Sequence, residues 1–438
     1  MKENNIRELA HDILMEVEYN HGYSDELINQ YKNLNLIDDI RDFNLLRRIV
    51  LGVLEYKISL DYIIKNYSKT KLNKMDPRII MILRIAIFQM IYLDQIPDHA
   101  SINDAVNHSK KIFKWISGFV NGLLRNISRN KRSIENLIQN NDDPSIKYNL
   151  PLEIVKYLSS SYGEAADKLM MSFYKRPKFS IRINQNKANP KDILKIFKDI
   201  GIDCELSKIS SNNILIDNPE EVNNLDLYKN GTISIQGEGS SKAVDIMGIE
   251  QGVKVLDLCS APGTKSMQIA ERLGDNGLLV SNDINADKNE KIVQNFNRIN
   301  FENYQMTNYD ATILIPEFIG RFDYVLVDAP CSALGLISRK PEIRYRRSIK
   351  DIKDIRKIQR AILDNAIKYL KPGAKMVYST CTYGHLENTD NFDYIISKDN
   401  IIPESFEFQD NYIANLQLYN DIHSTDGFYI SKFRFSNK

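Results

Sequence analysis

Cysteine is scarce in this chain. Four occur in 438 residues, at Cys204, Cys259, Cys331 and Cys381, and no two form a C-x-x-C pair. That absence argues against a zinc site or a disulfide framework and leaves isolated, reduced thiols, so no metal is expected. No apolar run approaches the ~20 residues that a membrane-spanning helix needs. The opening Met1-Lys2-Glu3-Asn4-Asn5 carries no apolar leader, and a cytoplasmic protein is expected. Net charge is only +1, so bulk charge says nothing about partners and local distribution must carry that argument. No internal repeat or low-complexity tract is present, and no G-x-G-x-x-G fingerprint, which disfavours a dinucleotide ligand.

What is present divides into segments, and at this length two or three domains are expected. Residues 1–138 show apolar positions at helical spacing, as in Leu45 to Leu54 and Ile79 to Tyr92, and predict an all-α bundle of five to seven helices. Inside it, no acidic residue occurs between Asp104 and Glu135, while Lys110, Lys111, Lys114, Arg125, Arg129, Lys131 and Arg132 do. With Phe113 and Trp115 interleaved, this uncompensated charge predicts an RNA-facing surface. Residues 150–230 are of mixed character, with helices expected near 151–160 and 190–200 and a strand at 179–184. They predict a small α+β connecting domain. Over 231–438, strands at 254–258, 278–282, 323–327 and 375–379 and one opening at Asp426 alternate with helices, predicting a doubly wound parallel sheet.

In such sheets ligands gather at the carboxyl ends of the strands. The strand ending at Asp257 enters Leu258-Cys259-Ser260-Ala261-Pro262-Gly263-Thr264-Lys265-Ser266, a small-residue turn whose backbone can approach a ligand closely. Asp283 ends the next strand, twenty residues past Gly263, where a carboxylate can hold both hydroxyls of a ribose. Asp310 follows the third strand and can meet an adenine edge. The turn lacks the upstream glycine and the Gly-Lys step of a P-loop, which disfavours an ATPase. S-adenosylmethionine, an adenosyl ligand with no phosphate to cradle, is the expected cofactor. Its site is expected to comprise Cys259, Ser260, Ala261, Pro262, Gly263, Thr264, Lys265, Asp283, Asp310 and Asp328.

Cys331 closes the apolar run Phe322-Asp323-Tyr324-Val325-Leu326-Val327-Asp328-Ala329-Pro330, and Cys381 closes Met376-Val377-Tyr378-Ser379-Thr380. Two thiols at strand ends can face one substrate, one adding covalently and the other helping to undo the adduct. Two small buried hydrophobes are the plainer alternative.

Asp257 to Gly263, the Asp-Ala-Pro-Cys-Ser of 328–332 and the Ser-Thr-Cys-Thr of 379–382 resemble the RNA 5-methylcytosine methyltransferases, in particular the bacterial ribosomal RNA enzymes of the RsmB (Sun/Fmu) type. Arg84 to Met90 and Gly118 to Arg125 resemble the NusB-type RNA-binding bundle at the front of that family. Thr264 and Ala333 stand where the family often has glycine, and Gly384 where it often has proline. The resemblance implies a NusB-like bundle, a small linker domain and a Rossmann-like methyltransferase domain that methylates C5 of a cytosine in small-subunit ribosomal RNA. By the same resemblance, Cys381 attacks C6, Cys331 assists release, Asp328 contacts the base near N3, and Lys265 orients the site. RNA contacts are expected from Lys110, Lys111, Lys114, Arg125 and Arg129, and from Arg339, Arg344 and Arg346 in the basic run after Cys331. The expected partner is small-subunit ribosomal RNA, unassembled or partly assembled, and the chain is expected to be a monomer without a membrane partner. Two other readings stand beside this one: a transfer RNA cytosine-5 methyltransferase, and a non-catalytic RNA-binding assembly factor. The presence of Cys331, Cys381 and Asp328 argues against the second.

Overall fold

The structure is a computed structural model and describes residues 5–34, 36–37, 39–218, 222–274 and 276–436. Residues 1–4, where no leader is expected, lie outside the described residues. The chain forms two compact units, Met1–Tyr157 with Arg339–Arg346, and Leu158–Ser338 with Arg347–Lys438.

The first unit begins with eight α-helices among the described residues: Ile6–Tyr19, Ser24–Asn33, Ile40–Glu55, Lys57–Tyr67, Pro77–Tyr92, Asp98–Ile112, Ser117–Arg129 and Lys131–Gln139. The number exceeds five to seven because breaks such as Tyr56 divide one apolar stretch into two helices. Asp39 and Asp76 cap their helices by accepting the N–H groups of Arg41 and Arg78. Pro77 occupies a first-turn position that needs no donor. The helix it opens is buried nearly all round, through Ile79, Met81, Leu83, Ile85, Ile87, Phe88 and Met90, and forms the centre of the bundle.

The basic run after Cys331 is not the surface that its charge predicts. Arg344 is 0% exposed and donates to the Tyr148 carbonyl at 3.3 Å. Arg346 is half-buried and donates to the Val17 carbonyl at 3.1 Å. Buried Glu342 accepts both the N–H and the hydroxyl of Ser24, at 3.0 and 2.9 Å, at the start of helix Ser24–Asn33. Arg344 is therefore removed from the expected RNA-facing set: its guanidinium satisfies a buried carbonyl instead of meeting a phosphate. Lys110, Lys111, Lys114, Arg125 and Arg129 are exposed, with Lys111 paired to Glu8.

In the second unit, β1 (Phe179–Ile183), β2 (Cys204–Leu206), β3 (Asn213–Ile216) and β4 (Ile233–Ile235) form an antiparallel sheet in the order β2-β3-β1-β4. Ile193 and Phe197 of helix Pro190–Asp199 join its core. This sheet runs past the expected boundary at 230, because Ile233 and Ile235 pair with Ile183 and Ile181.

The larger sheet comprises β5 (Lys254–Asp257), β6 (Leu278–Asn282), β7 (Tyr304–Thr307), β8 (Phe322–Asp328), β9 (Leu370–Thr380), β10 (Ile401–Pro403), β13 (Asn415–Leu418) and β14 (Phe428–Phe435). A hairpin of β11 (Phe406–Phe408) and β12 (Asn411–Ile413) stands apart from it. The order is β10-β14-β9-β8-β5-β6-β7, with β13 also on β14. Strands β5 to β9 are parallel, but β14 is antiparallel to β9, and β10 and β13 to β14. The sheet is thus mixed where an all-parallel one was expected, since apolar patterning does not encode strand direction. Chain order reverses on either side of β5, which has β6 and β8 as neighbours. Such a switch point opens a crevice at the carboxyl edge. Among the described residues no helix is long and apolar enough to cross a membrane.

Candidate active site

The turn after β5 is shaped by backbone demands. Gly263 has φ 98°, and a Cβ there would lie 3.0 Å from the Cα of Ile292, so a side chain would be both strained and crowded. Asp283, just past β6, accepts the Ala261 N–H at 2.9 Å and the Asn285 N–H at 3.0 Å, fixing its carboxylate beside the turn. Asp310 accepts the N–H and hydroxyl of Thr312 at 2.9 and 2.7 Å. Buried Asn282 ties three segments together. It donates to the carbonyls of Leu258 and Tyr309, both at 3.1 Å, and accepts from Thr307 Oγ1 and Tyr309 N–H. Asn282 escaped the sequence reading, although an amide closing the apolar run Leu278-Leu279-Val280 was a signal of obligatory hydrogen bonding.

Asp257 is fully buried, and burial pushes its carboxyl up to about 7. Ser266 Oγ donates to its Oδ2 at 2.6 Å, while Oδ1, Ser260 Oγ and Ser281 Oγ are buried without hydrogen-bond partners. Asp257 and Ser281 are register neighbours on β5 and β6.

At the end of β8, Asp328 Oδ2 accepts Lys265 Nζ at 2.6 Å, and Oδ1 accepts Ser379 Oγ at 2.7 Å. Lys265 is therefore not a free helix-surface lysine. Beyond Asp328, Cys331 Sγ lies 3.2 Å from Cys381 Sγ, and both are free thiols. Hydrogen bonding to Cys381, with burial added, pushes the Cys331 thiol well up. Burial beside Asp257 raises the Cys259 thiol well above its ordinary value, and burial raises that of Cys204, which donates to the Leu194 carbonyl.

The structure thus gathers the cofactor turn, Asp283, Asp328, Lys265 and the two distant cysteines at one sheet edge. Within the helical unit, Lys110, Lys111, Lys114, Arg125 and Arg129 are exposed and Arg344 is buried.

Residues 245–434 match the family described as 16S rRNA methyltransferase RsmB/F, residues 4–129 the NusB family, and residues 151–223 a ferredoxin-like domain of RsmF/B-like methyltransferases. The chain is 32% identical to the probable ribosomal RNA small subunit methyltransferase B of Bacillus subtilis, with 99% of each chain covered. It belongs to that methyltransferase family. Ribosomal RNA small subunit methyltransferase B of Shewanella oneidensis is 30% identical, over 81% of this chain and 82% of its own. The solved structure of PH0851 shares the fold at TM-score 0.81 and 21% identity, covering 99% of both chains. A methyltransferase homolog protein from Pyrococcus horikoshii does so at 0.58 and 23%, over 67% of this chain and 97% of its own.

The cofactor of this methyltransferase is S-adenosyl-L-methionine, and the residues present fit it. Asp283 offers a carboxylate for ribose hydroxyls, the Gly263 turn leaves room that a Cβ would fill, and three buried polar atoms on β5, β6 and the turn between them have no partner. No phosphate-binding feature is needed or found in the turn.

Proposed function

We propose that this methyltransferase methylates C5 of a cytosine in small-subunit ribosomal RNA through a covalent bond between Cys381 and C6. The observation that carries this reading is the thiol pair itself, Cys331 Sγ 3.2 Å from Cys381 Sγ just past the ends of the paired strands β8 and β9. Two thiols 3.2 Å apart cannot both ionise easily. Cys331 is the member pushed up by its hydrogen bond to the other. The division of roles follows the resemblance: the Ser-Thr-Cys-Thr of 379–382 is similar to the motif whose cysteine attacks C6, and the Asp-Ala-Pro-Cys-Ser of 328–332 to the one whose cysteine assists release.

S-adenosylmethionine supplies an electrophilic methyl group on a sulfonium. Addition of the Cys381 thiolate to C6 forms an S–C6 bond and shifts the ring electrons toward C5, which takes the methyl group. Asp328, held by Lys265 and Ser379, is placed to contact the base near N3 and to accept a hydrogen bond from the proton that N3 takes up from solvent as the ring electrons shift. Cys331 loses its proton to solvent, and its thiolate then takes the C5 proton. The C5–C6 double bond re-forms and Cys381 leaves as a thiolate.

The target base must leave its stack to reach a thiol, as in an unpaired RNA segment. Exposed Lys110, Lys114, Arg125 and Arg129 supply a cationic face for that RNA. The proposal includes an RNA-binding bundle over 1–138, a connecting domain from 150 carried on through β4, and a catalytic domain from there to the end. It also includes a monomer acting in the cytoplasm.

The test uses labelled cofactor with protein-free small-subunit ribosomal RNA and with transfer RNA, followed by mapping of modified cytosines. Label at a small-subunit cytosine that disappears in Cys381→Ala is the expected result. Label confined to transfer RNA, or absent from wild type, overturns the reading.

A further inference from the structure

Glu387 is 0% exposed and lies six residues past Cys381. Its Oε1 accepts the Ser332 N–H at 2.8 Å and Gln359 Nε2 at 3.0 Å, and its Oε2 accepts the Ser332 hydroxyl. Gln359, from helix Ile349–Tyr369, also donates to the Pro330 carbonyl at 2.9 Å and is itself held by Asn391 at 2.8 Å. The residues on either side of Cys331 are therefore both gripped by the Glu387–Gln359 pair.

The grip reaches the second thiol as well. Since the Ser332 hydroxyl gives its proton to Glu387, its 2.6 Å contact with Thr382 Oγ1 runs from Thr382 to Ser332. Thr382 Oγ1 accepts the Leu334 N–H at 3.2 Å, and the Cys381 carbonyl accepts the Gly335 N–H at 3.1 Å. A single file of donors thus passes from Leu334 through Thr382 and Ser332 to a buried carboxylate. Hydrogen bonds chained in this way strengthen one another, and a missing member leaves the rest unsatisfied.

We infer that Glu387 is a positioning residue that sets the spacing between Cys331 and Cys381, with Ser332 and Thr382 as its links. This rests on the reading of Cys331 as the release group. Glu387 touches no substrate in this scheme; it acts on the step that needs Cys331 in register with a base already bonded to Cys381. Burial raises its carboxyl above the ordinary range, and the hydrogen bonds from Ser332 and Gln359 and the charge of Arg347 oppose that rise.

The experiment compares the full-length wild type with Glu387→Met, Glu387→Gln, Ser332→Ala and Cys331→Ala on the same RNA. Turnover, cofactor affinity, melting temperature and the denaturation-resistant protein–RNA adduct are read for each. Glu387→Met should lower kcat about a hundredfold and let adduct build up, with cofactor affinity held within about threefold. Glu387→Gln, which can accept from the Ser332 N–H and donate to the hydroxyl, should recover most of that loss. Ser332→Ala leaves the Glu387 bond to the backbone intact and should accumulate adduct at a smaller cost, about tenfold, which keeps the test alive if Glu387→Met does not fold. A parallel fall in melting temperature, cofactor affinity and turnover without adduct in both variants overturns the positioning role, as does unchanged turnover in both. Cys331→Ala separates the two ideas: no adduct from it sinks the release assignment, whereas adduct from it with wild-type turnover in Glu387→Met and Ser332→Ala sinks only the clamp.

Discussion

Lys265 Nζ and Asp328 Oδ2 lie 2.6 Å apart, joining the first turn of the helix after β5 to the end of β8. Their side chains are 12% and 26% exposed, so the pair is screened less than a surface ion pair. Ser379, the register partner of Asp328 on β9, holds its other oxygen at 2.7 Å. Lys265 thereby couples the cofactor turn to the carboxylate placed nearest the thiols in sequence.

A double-mutant cycle measures that coupling. Lys265→Met and Asp328→Asn should each lower kcat/KM by about a hundredfold, on the scale of losing one preorganised polar group. The double variant should lose far less than the product, with a coupling energy of about 1–3 kcal/mol. Additive losses would show that Lys265 acts independently of Asp328.

Asp257 predicts a pH dependence of stability. Burial raises its carboxyl to about 7, so the folded chain keeps a proton that the unfolded chain releases above the ordinary carboxylate range. The folded state therefore binds more protons between about pH 4 and pH 7, and its stability falls as pH rises through that window. Asp257→Asn retains an acceptor for Ser266 Oγ and removes the titration. Its melting temperature relative to wild type should climb from about pH 5 to about pH 8, by the equivalent of roughly 2–4 kcal/mol. A pH-independent difference between the two proteins would refute a raised Asp257.

Much of the site could be read before the fold because its residues close apolar strands. Asp283, Asp328, Cys331 and Cys381 each follow a run of buried β-formers, and parallel pairing then brings those ends to one edge. What escaped was pairing at a distance. Lys265 and Asp328 are 63 positions apart, and Ser332 and Glu387 are 55, and nothing periodic links them. The direction of β14 escaped for a similar reason, since a strand's side-chain alternation is the same whichever way it runs. Arg344 misled because charge in a sequence predicts solvent, whereas its five donors also suit buried carbonyls.

Arg344 and the exposed cations should separate cleanly by salt titration. Lys110→Glu, Lys114→Glu and Arg129→Glu should each weaken RNA binding and make log K fall less steeply with log salt. The slope should shrink by about 0.7 to 0.9 for every phosphate that is no longer neutralised. Arg344→Met should leave that slope unchanged and lower stability by about 1–3 kcal/mol, because the buried Tyr148 carbonyl is left without this donor. A reduced slope in Arg344→Met would restore it to the RNA surface.

Gly335 supplies a steric test of the same loop. A Cβ there would come 2.1 Å from the Gly427 carbonyl oxygen and 2.8 Å from that of Cys381. Both obstacles are backbone, and Gly335 also donates to Cys381 and accepts from Gly427 N–H at 2.9 Å, so no flexible side chain can yield. In Gly335→Ala the segment carrying Cys331 must move off the segment carrying Cys381. Overpacking of this kind costs about 1–3 kcal/mol of stability. The displacement should lower kcat about a hundredfold, more than the stability loss alone would produce in a chain that is still folded at assay temperature. Gly122→Ala is the matched control: it lies in helix Ser117–Arg129 with nothing within 4 Å of the new methyl group. There alanine should raise the melting temperature slightly through helix propensity and leave methylation unaltered. Equal activity in Gly335→Ala and Gly122→Ala would mean that the two cysteine segments do not need their observed separation.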